Sequence, residues 1–592
     1  MTRSSLWLKA LALGASAAAL AAGNPALAQT GTPTAAATAE PGGAMADLVR
    51  LLVKKGSITQ EEGDLLIAKS AAELVAARAQ GAASAVASAA PPPEPGEVSV
   101  PYVPQLVRDQ IRDQIREQVL AQAKAERWAA PNAVPDWTSR IRLFGDLRVR
   151  AEGRYYDKDN RANLVDFIAI NAGPGYDVST SNPDFPAIQN SLADRQLLRL
   201  RARFGLEAQL GGGLSTTIRV ATGSDNSPVS TTQTLGGYLS KKNLWLDRGY
   251  LSYRQGDALQ VNLGRTDNPF IESNAAFATS DIVWDEDTAL DGITATARYS
   301  PSKSLKLRAD LAGVTLNFAP DGFPDQATAD QKVSSSQNSY LVGGQVAATY
   351  QVNSAVNASL SAAVYGYYNV TGKVASQCLN TGPYCATDYS RPGFMQKGNT
   401  LVQLRDFVIP DPTSNRQLQY FGYASQFRDL SVKGAVSYLF KDDVHASLTG
   451  NYVHNFGYDR NVVMNRGVIV TNNDGCSVQV PLGQPCPVSN QIFRSGADAY
   501  MARFEIGRTS FSKKGDWLGF AEYRYIQPDA VLDAFNDSDF HLGGTNAKGY
   551  VVGGAYGLTD NFSVGARWLS ANTVYGAPLS IDVLQLDLSG KF

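Results

Sequence analysis

The sequence predicts an all-β transmembrane barrel of about sixteen antiparallel strands, preceded by a short α-helical region. Three observations carry this. Beyond its amino-terminal stretch, the 592-residue chain holds no run approaching the roughly 20 apolar residues that a membrane helix needs. From Asp136 onward, segments of alternating polar and apolar residues are joined in turn by short and long connections. In the last segment Leu584, Leu586, Leu588 and Phe592 share one face with Gly590, and Gln585, Asp587, Ser589 and Lys591 share the other, as suits a strand between lipid and water. A chain that crosses a bilayer without such helices must close its sheet, because lipid satisfies no backbone N–H or C=O group.

The elements follow in order. Residues 1–28 read as a signal peptide: Arg3 and Lys9 precede the apolar run Ala10 to Ala22, and Ala26-Leu27-Ala28 places small residues at a cleavage site before Gln29. Loss of Arg3 and Lys9 takes the formal charge from −2 to −4, because residues 1–28 contain no acid; nothing here suits a nucleic-acid partner, which wants a strongly basic face. Residues 29–43 are Ala, Thr, Gly and Pro, a disordered tail too poor in large apolar groups to order itself.

Residues 44–80 predict a helical hairpin. Leu48, Leu51 and Leu52 form one apolar face, Gly56 stops it, and Thr59 with Glu62 makes a capping box ahead of Leu65 and Leu66. Residues 81–104 are an Ala/Pro-rich linker containing Pro91-Pro92-Pro93, and residues 105–130 an amphipathic helix. In that helix Val107, Ile111, Ile115 and Val119 recur every four residues, each followed by Arg108, Arg112 and Arg116 in the first three repeats. A spacing of four overshoots the 3.6-residue turn, so the apolar stripe drifts and forms no long left-handed coiled coil. A short bundle beneath the barrel and a solvated amphipathic helix both fit.

The barrel occupies 136–592, with predicted strands at 141–150, 196–210, 214–223, 244–254, 259–265, 293–299, 305–316, 340–350, 356–368, 430–440, 444–455, 499–509, 517–527, 548–557, 562–570 and 580–592. Tight turns such as Gly211-Gly212-Gly213 and Gln255-Gly256-Asp257 alternate with long loops. An even count returns the chain to its starting side, so both termini and the tight turns are expected in the periplasm and the long loops outside. Tyr250, Tyr253, Tyr299, Tyr350, Tyr438, Tyr523 and Trp568 suit interfacial girdles. Sixteen strands leave an aqueous channel where eight would be filled by side chains.

The second strand shows what lines that channel. Leu198, Leu200, Ala202, Phe204 and Leu206 alternate with Arg199, Arg201 and Arg203. A guanidinium facing lipid near the midplane would cost roughly 2–4 kcal/mol, so the arginines face water. Arg142, Arg148 and Arg150 on the first strand and Arg219 on the third share this phase and extend a basic ladder. Asp247 and Trp245 blur the register of the fourth strand, leaving the side of Arg248 open. The loop 266–291 carries Asp267, Glu272, Asp281, Asp285, Glu286, Asp287 and Asp291 with no Lys or Arg after Arg265. Folded inward, it would face the arginine wall across a constriction; standing outside, it would be a solvated acidic loop or a lipopolysaccharide-bound calcium patch.

Four cysteines form two close pairs in polar loops, Cys378 with Cys385 and Cys476 with Cys486, and in an oxidising compartment suggest two loop-local disulfides. His445, His454 and His541 are scattered, so neither a metal site nor any cofactor is expected. An outer-membrane protease or lipase would want a histidine and an acid together at the outward rim, and the chain is read as no enzyme.

Leu259-Gln260-Val261-Asn262-Leu263-Gly264-Arg265 followed by Thr266-Asp267-Asn268-Pro269-Phe270 resembles the strand and loop entry of bacterial porins. The helical preface followed by Ile141-Arg142-Leu143-Phe144-Gly145-Asp146-Leu147-Arg148 resembles the putative porin family, and the terminal Phe592 resembles the ending of Gram-negative outer-membrane β-barrels. The resemblance implies an outer-membrane location among lipid and lipopolysaccharide, Phe592 as the signal read by barrel-assembly machinery, an inward-folded loop and a homotrimer. It also matches Arg265 to a lumen arginine, although alternation puts it in phase with Leu263, so an inward aim requires a bulge. Passive diffusion of small hydrophilic solutes and ions is the expected function. A channel selective for anions such as carboxylates, and a structural tether contacting the cell wall through the helices, are the alternatives.

Overall fold

The computed structural model describes residues 138–178, 185–271, 282–319, 337–375, 387–406, 417–476, 490–508 and 513–592. The expected signal peptide, tail, hairpin, linker and amphipathic helix lie outside the described residues. So do Glu272, Asp281, Cys378, Cys385 and Cys486 and the side chain of Cys476, and with them both expected disulfides.

Sixteen long strands form one antiparallel sheet: β1 (Ile141–Tyr156), β2 (Arg195–Gly211), β3 (Leu214–Ala221), β4 (Trp245–Gln255), β5 (Leu259–Asp267), β6 (Ala289–Tyr299), β7 (Leu305–Asn317), β8 (Ser339–Gln351), β9 (Val356–Tyr368), β10 (Arg428–Leu439), β11 (His445–Asn455), β12 (Asp498–Gly507), β13 (Trp517–Ile526), β14 (Ala547–Gly557), β15 (Phe562–Thr573) and β16 (Ser580–Lys591). A two-residue strand, Gln233–Thr234, adds to the β2 edge. Each long strand pairs with its neighbours in sequence, and β16 returns to β1 in register from Asp146↔Lys591 to Tyr156↔Ile581. Closure leaves no edge strand to template aggregation.

The join is completed by the terminal residue. Phe592 N donates to Gly145 O at 3.0 Å and Gly145 N donates to Phe592 O at 3.0 Å. A Cβ on Gly145 would stand 2.6 Å from Phe592 Cζ, so this position must lack a side chain for the final ring to seat. On the outer face Leu143, Leu147, Leu198, Leu263, Leu311 and Val346 are exposed, whereas alternate positions such as Thr266, Asp310 and Gln585 are buried. This is the two-sided pattern of a wall between lipid and a polar interior. Tyr253, Tyr299, Tyr350, Tyr438 and Tyr523 stand exposed on that outer face. Tyr250 differs from expectation: it donates to Asp267 Oδ2 at 3.0 Å on the inner side.

Short turns occupy one end of the barrel, together with the start of β1 and the carboxy terminus, and the long connections occupy the other. At the long-loop end the interior is not open water throughout. Val314, Leu341, Tyr365 and Tyr367 from β7 to β9 join Phe270, Trp284, Met395, Phe427 and Leu532 from three connections in one buried apolar cluster. Phe270 stacks on Trp284 with centroids 6.2 Å apart, and Trp284 meets Tyr365 edge-on at 5.3 Å. The connections between β5 and β6, β9 and β10, and β13 and β14 therefore fold inward and pack against one side of the wall, because their aromatic residues have no other place to escape water.

Candidate functional site

The opposite side of the lumen is built from charged strands. On β1, Asp146, Arg148, Arg150, Glu152 and Arg154 alternate with Leu147, Val149, Ala151 and Gly153, and the inward set meets Arg199, Arg201 and Arg203 of β2 across a regular ladder. Asp146 accepts from Arg203 Nε at 2.6 Å and from Arg201 Nε at 3.0 Å. The register of β4 is settled by an irregularity: Arg219 pairs with Arg248, but Val220 pairs with Leu246, leaving Asp247 as the extra residue. Asp247 and Arg248 are thus both buried. Asp247 accepts from Arg219 Nε at 2.6 Å and Arg248 Nη1 at 2.7 Å, and Arg248 Nε donates to Asp267 at 2.7 Å. A bulge re-aims one side chain without ending the strand.

The connection from β5 to β6 supplies the facing acids, over a shorter span than the expected 266–291. Asp267 closes β5 and Asp291 lies inside β6, which begins at Ala289. Asp291 is 55% exposed and binds Arg265 at 2.8 Å. Neither Arg265 nor Asp291 joins the ladder; both line a separate pocket of about 380 Å³ with Trp284 and Leu316. Asp285, Glu286 and Asp287 instead dock directly on the arginine wall, where a gap had been expected. Asp287 meets Arg203 Nη1 at 3.1 Å, Glu286 meets Arg201 Nη1 at 3.4 Å, and the Thr231 N–H and hydroxyl both donate to Asp287 Oδ2 at 2.9 Å. Asp285 turns away to accept from Asp287 N and Ser538 N, each at 2.9 Å.

Ser538 belongs to a second inward connection, residues 527–546, which the sequence did not reveal as functional. Asp539 bridges Arg150 at 3.0 Å and Arg567 at 2.8 Å, and Asp537 holds Arg524 at 2.6 Å. Phe535 O accepts from Asp285 N at 2.7 Å, so the two connections touch. Arg567 and Asp587 were legible from alternation on the last two strands; Asp537 and Asp539 carried no local signal.

The expected basic ladder accordingly separates into two groups. Arg150 is only 1% exposed and is clamped by Asp587 through two bonds of 2.7 and 2.9 Å and by Asp539. Arg199 binds Glu152 at 2.9 Å, and Arg142, near the start of β1, is exposed and binds Glu207 at 2.5 Å. These three are not among the residues around the cavity that the other arginines line. Arg148, Arg201, Arg203, Arg219, Arg248 and Arg567 do line it, with Asp267, Glu286 and Asp587. The cavity measures about 550 Å³.

Burial and neighbours set the acidity of the loop groups. Burial, with Asp287 and Asp537 nearby, holds the Asp285 carboxyl well above the usual range. Burial and Asp287 also raise Glu286, against the pull of Arg201 and Arg148. For Asp287 burial acts upward, but Arg203, Arg201 and the Thr231 N–H outweigh it and hold the group below its ordinary value. Burial pushes Asp533, whose oxygen accepts from Tyr423 Oη at 2.6 Å, up to about 7. His541 is buried with its Nε2 3.0 Å from Leu579 O, and burial and Lys397 push it down to about 3. Among the described residues no cluster of three or more His, Cys, Asp and Glu could hold a metal.

A closed sixteen-stranded barrel, apolar outside and charged inside, with inward loops that narrow the lumen, defines the class of pore-forming membrane β-barrels. The family described as Putative porin matches residues 43–592, and the chain belongs to it. The protein is an outer-membrane porin, a channel-forming β-barrel. Solved structures similar to it include the outer membrane channel DcaP of Acinetobacter baumannii, at 11% identity over 76% of this chain and 97% of that one with a TM-score of 0.36. Pseudomonas putida OprB is 10% identical over 77% and 95%, with a TM-score of 0.39, and Salmonella typhi OmpF in complex with daunomycin is 10% identical over 76% and 97%, with a TM-score of 0.36. No curated protein matches the chain.

Proposed function

We propose that the protein carries small hydrophilic solutes and ions by passive diffusion along the charged side of its lumen. The observation that carries this reading is the cavity of about 550 Å³ beside the arginine wall, lined by side chains of both signs and by Asn268, Ile271, Glu286 and Thr288 of the β5–β6 connection. Fixed charges of both signs replace part of a solute's hydration as it passes, and the folded loops set its size limit. The apolar cluster that fills the other side of the long-loop half leaves an eccentric path and favours a narrow, discriminating channel over a wide one. In this reading both termini lie in the periplasm with the long connections outside, and three barrels associate, as the family resemblance suggests. The outer rim meets lipopolysaccharide, barrel-assembly machinery engages Phe592, and residues 44–130 contact the cell wall.

Recording from the purified protein in planar bilayers tests this. Stepwise, ohmic conductance in groups of three is expected. Correctly folded barrels that pass no current would exclude an open channel and favour the tethering role.

A further inference from the structure

We infer that the cavity beside Arg148 is a binding site for a small oxyanion, a carboxylate or phosphate solute, rather than only a charged constriction. The inference rests on the channel reading above and names the solute class held within it. The charged network around the cavity is mixed in sign, but its two signs are not evenly placed. Six arginines line the cavity and only three carboxylates do, Asp267, Glu286 and Asp587. Asp146, Asp247, Asp287 and Asp539 each hold one or two of those arginines yet are not among the lining residues. Those four carboxylates are set back from the space that six guanidinium groups and three other carboxylates line.

Arg148 differs from the other five. Each of them has a carboxylate oxygen within 3.1 Å, whether Asp146, Asp247, Asp267, Asp287 or Asp539. The nearest carboxylate oxygen to Arg148 among the described residues is Glu286 Oε1, at 4.0 Å. Its Nη2 donates to Thr232 Oγ1 at 2.9 Å, its Nε is buried without a partner, and the residue is only 9% exposed. A guanidinium so enclosed costs free energy unless an anion completes its shell. Its planar donor fork matches a carboxylate or phosphate, with Arg201 and Arg567 lining the same cavity.

The test uses the full-length protein in planar bilayers under a salt gradient, with citrate and inorganic phosphate as separate probes and glucose as the uncharged control. Calorimetric titration of the detergent-solubilised protein with the same probes runs in parallel. The expected results are an anion-selective reversal potential, saturable block of chloride current by one or both oxyanions, and no effect of glucose. Block by citrate alone assigns the site to carboxylates, and by phosphate alone to phosphates. Arg148→Gln should raise the blocking concentration about tenfold or more, the loss of one charge-assisted contact. Arg148→Lys should keep much of the selectivity, and Lys158→Gln, in an exposed loop, should change nothing. Conductance that is cation-selective, or block indifferent to Arg148→Gln, overturns the site and leaves the channel standing. Absent conductance with calorimetric binding that Arg148→Gln abolishes overturns the channel and supports the site; absence of both overturns both.

Discussion

Replacing Asp533 by Asn should strengthen the seating of the inward connection 527–546 and erase a pH dependence that the native residue imposes. Asp533 is completely buried, and Tyr423 Oη donates to its Oδ1 at 2.6 Å, a bond that an amide oxygen accepts equally well. Burial moves its carboxyl from 3.8 to about 7. Below about pH 4 the seated and released loops both carry the proton, and seating is unpenalised. Between about pH 4 and about pH 7 only the released loop loses it, so seating weakens as pH rises; above that both are ionised and the slope vanishes. A displacement of about three units at 1.36 kcal/mol each amounts to about 4 kcal/mol of seating free energy lost by neutral pH. Amide hydrogen exchange at residues 529–536, corrected for intrinsic rates and followed from about pH 4.5 to about pH 8, measures it. Protection should fall with pH in the native protein and stay level in Asp533→Asn. Equal slopes in both would refute the burial argument.

Three further outcomes are expected. Asp287→Ala removes one of two carboxylates that hold Arg203 and both Thr231 bonds, a loss of about 1.5–3 kcal/mol for each bond to a charged group, and should release the β5–β6 connection with a measurable rise in unitary conductance. Acidification should neutralise Glu286 at a higher pH than an ordinary carboxylate, because burial and Asp287 raise it; the cavity then gains positive character and the reversal potential shifts toward anions. Gly145→Leu places a side chain where Phe592 Cζ stands and should abolish the folded, heat-modifiable band in electrophoresis, whereas Gly256→Leu, with open space around its missing Cβ but a φ of +55°, should cost only modest strain.

Much of the architecture was legible because lipid enforces alternation. All sixteen long strands were recovered from it, and the expected ends fall close to the observed ones at most positions, as with 356–368 for β9. Where the wall meets a folded loop in place of lipid the signal weakened: β1 runs on to Tyr156 and β6 starts at Ala289, because Asp291 and Leu290 lie beside the inward connections. The arginine ladder was legible as a phase, but a phase does not tell which arginines face the cavity. Arg148 and Arg150 are two residues apart on one face, and only the arrival of Asp539 from almost 400 residues away separates a clamped group from a lining one. Asp247 and Arg248 are both polar, so alternation blurs in the fourth strand without telling which of them is the extra residue. The apolar cluster within the barrel was unreadable for a related reason: Phe270, Trp284 and Leu532 sit in segments without periodicity, and only tertiary packing assigns them an inside.

The bond between Gly145 and Phe592 also sets a timetable. Arg150 and Asp587, which meet at the same join, are 437 positions apart. Hairpins such as β8 with β9 can zip as soon as both halves exist, but β1 finds its second neighbour only after β16 has been synthesised. Loop-closure entropy grows slowly with length, by about 0.6 kcal/mol per doubling, so the delay is one of availability more than of thermodynamics. Until then one flank of β1 offers unpaired backbone to any strand it meets. A chain built this way is sealed late, and β16 with Phe592 is the latch.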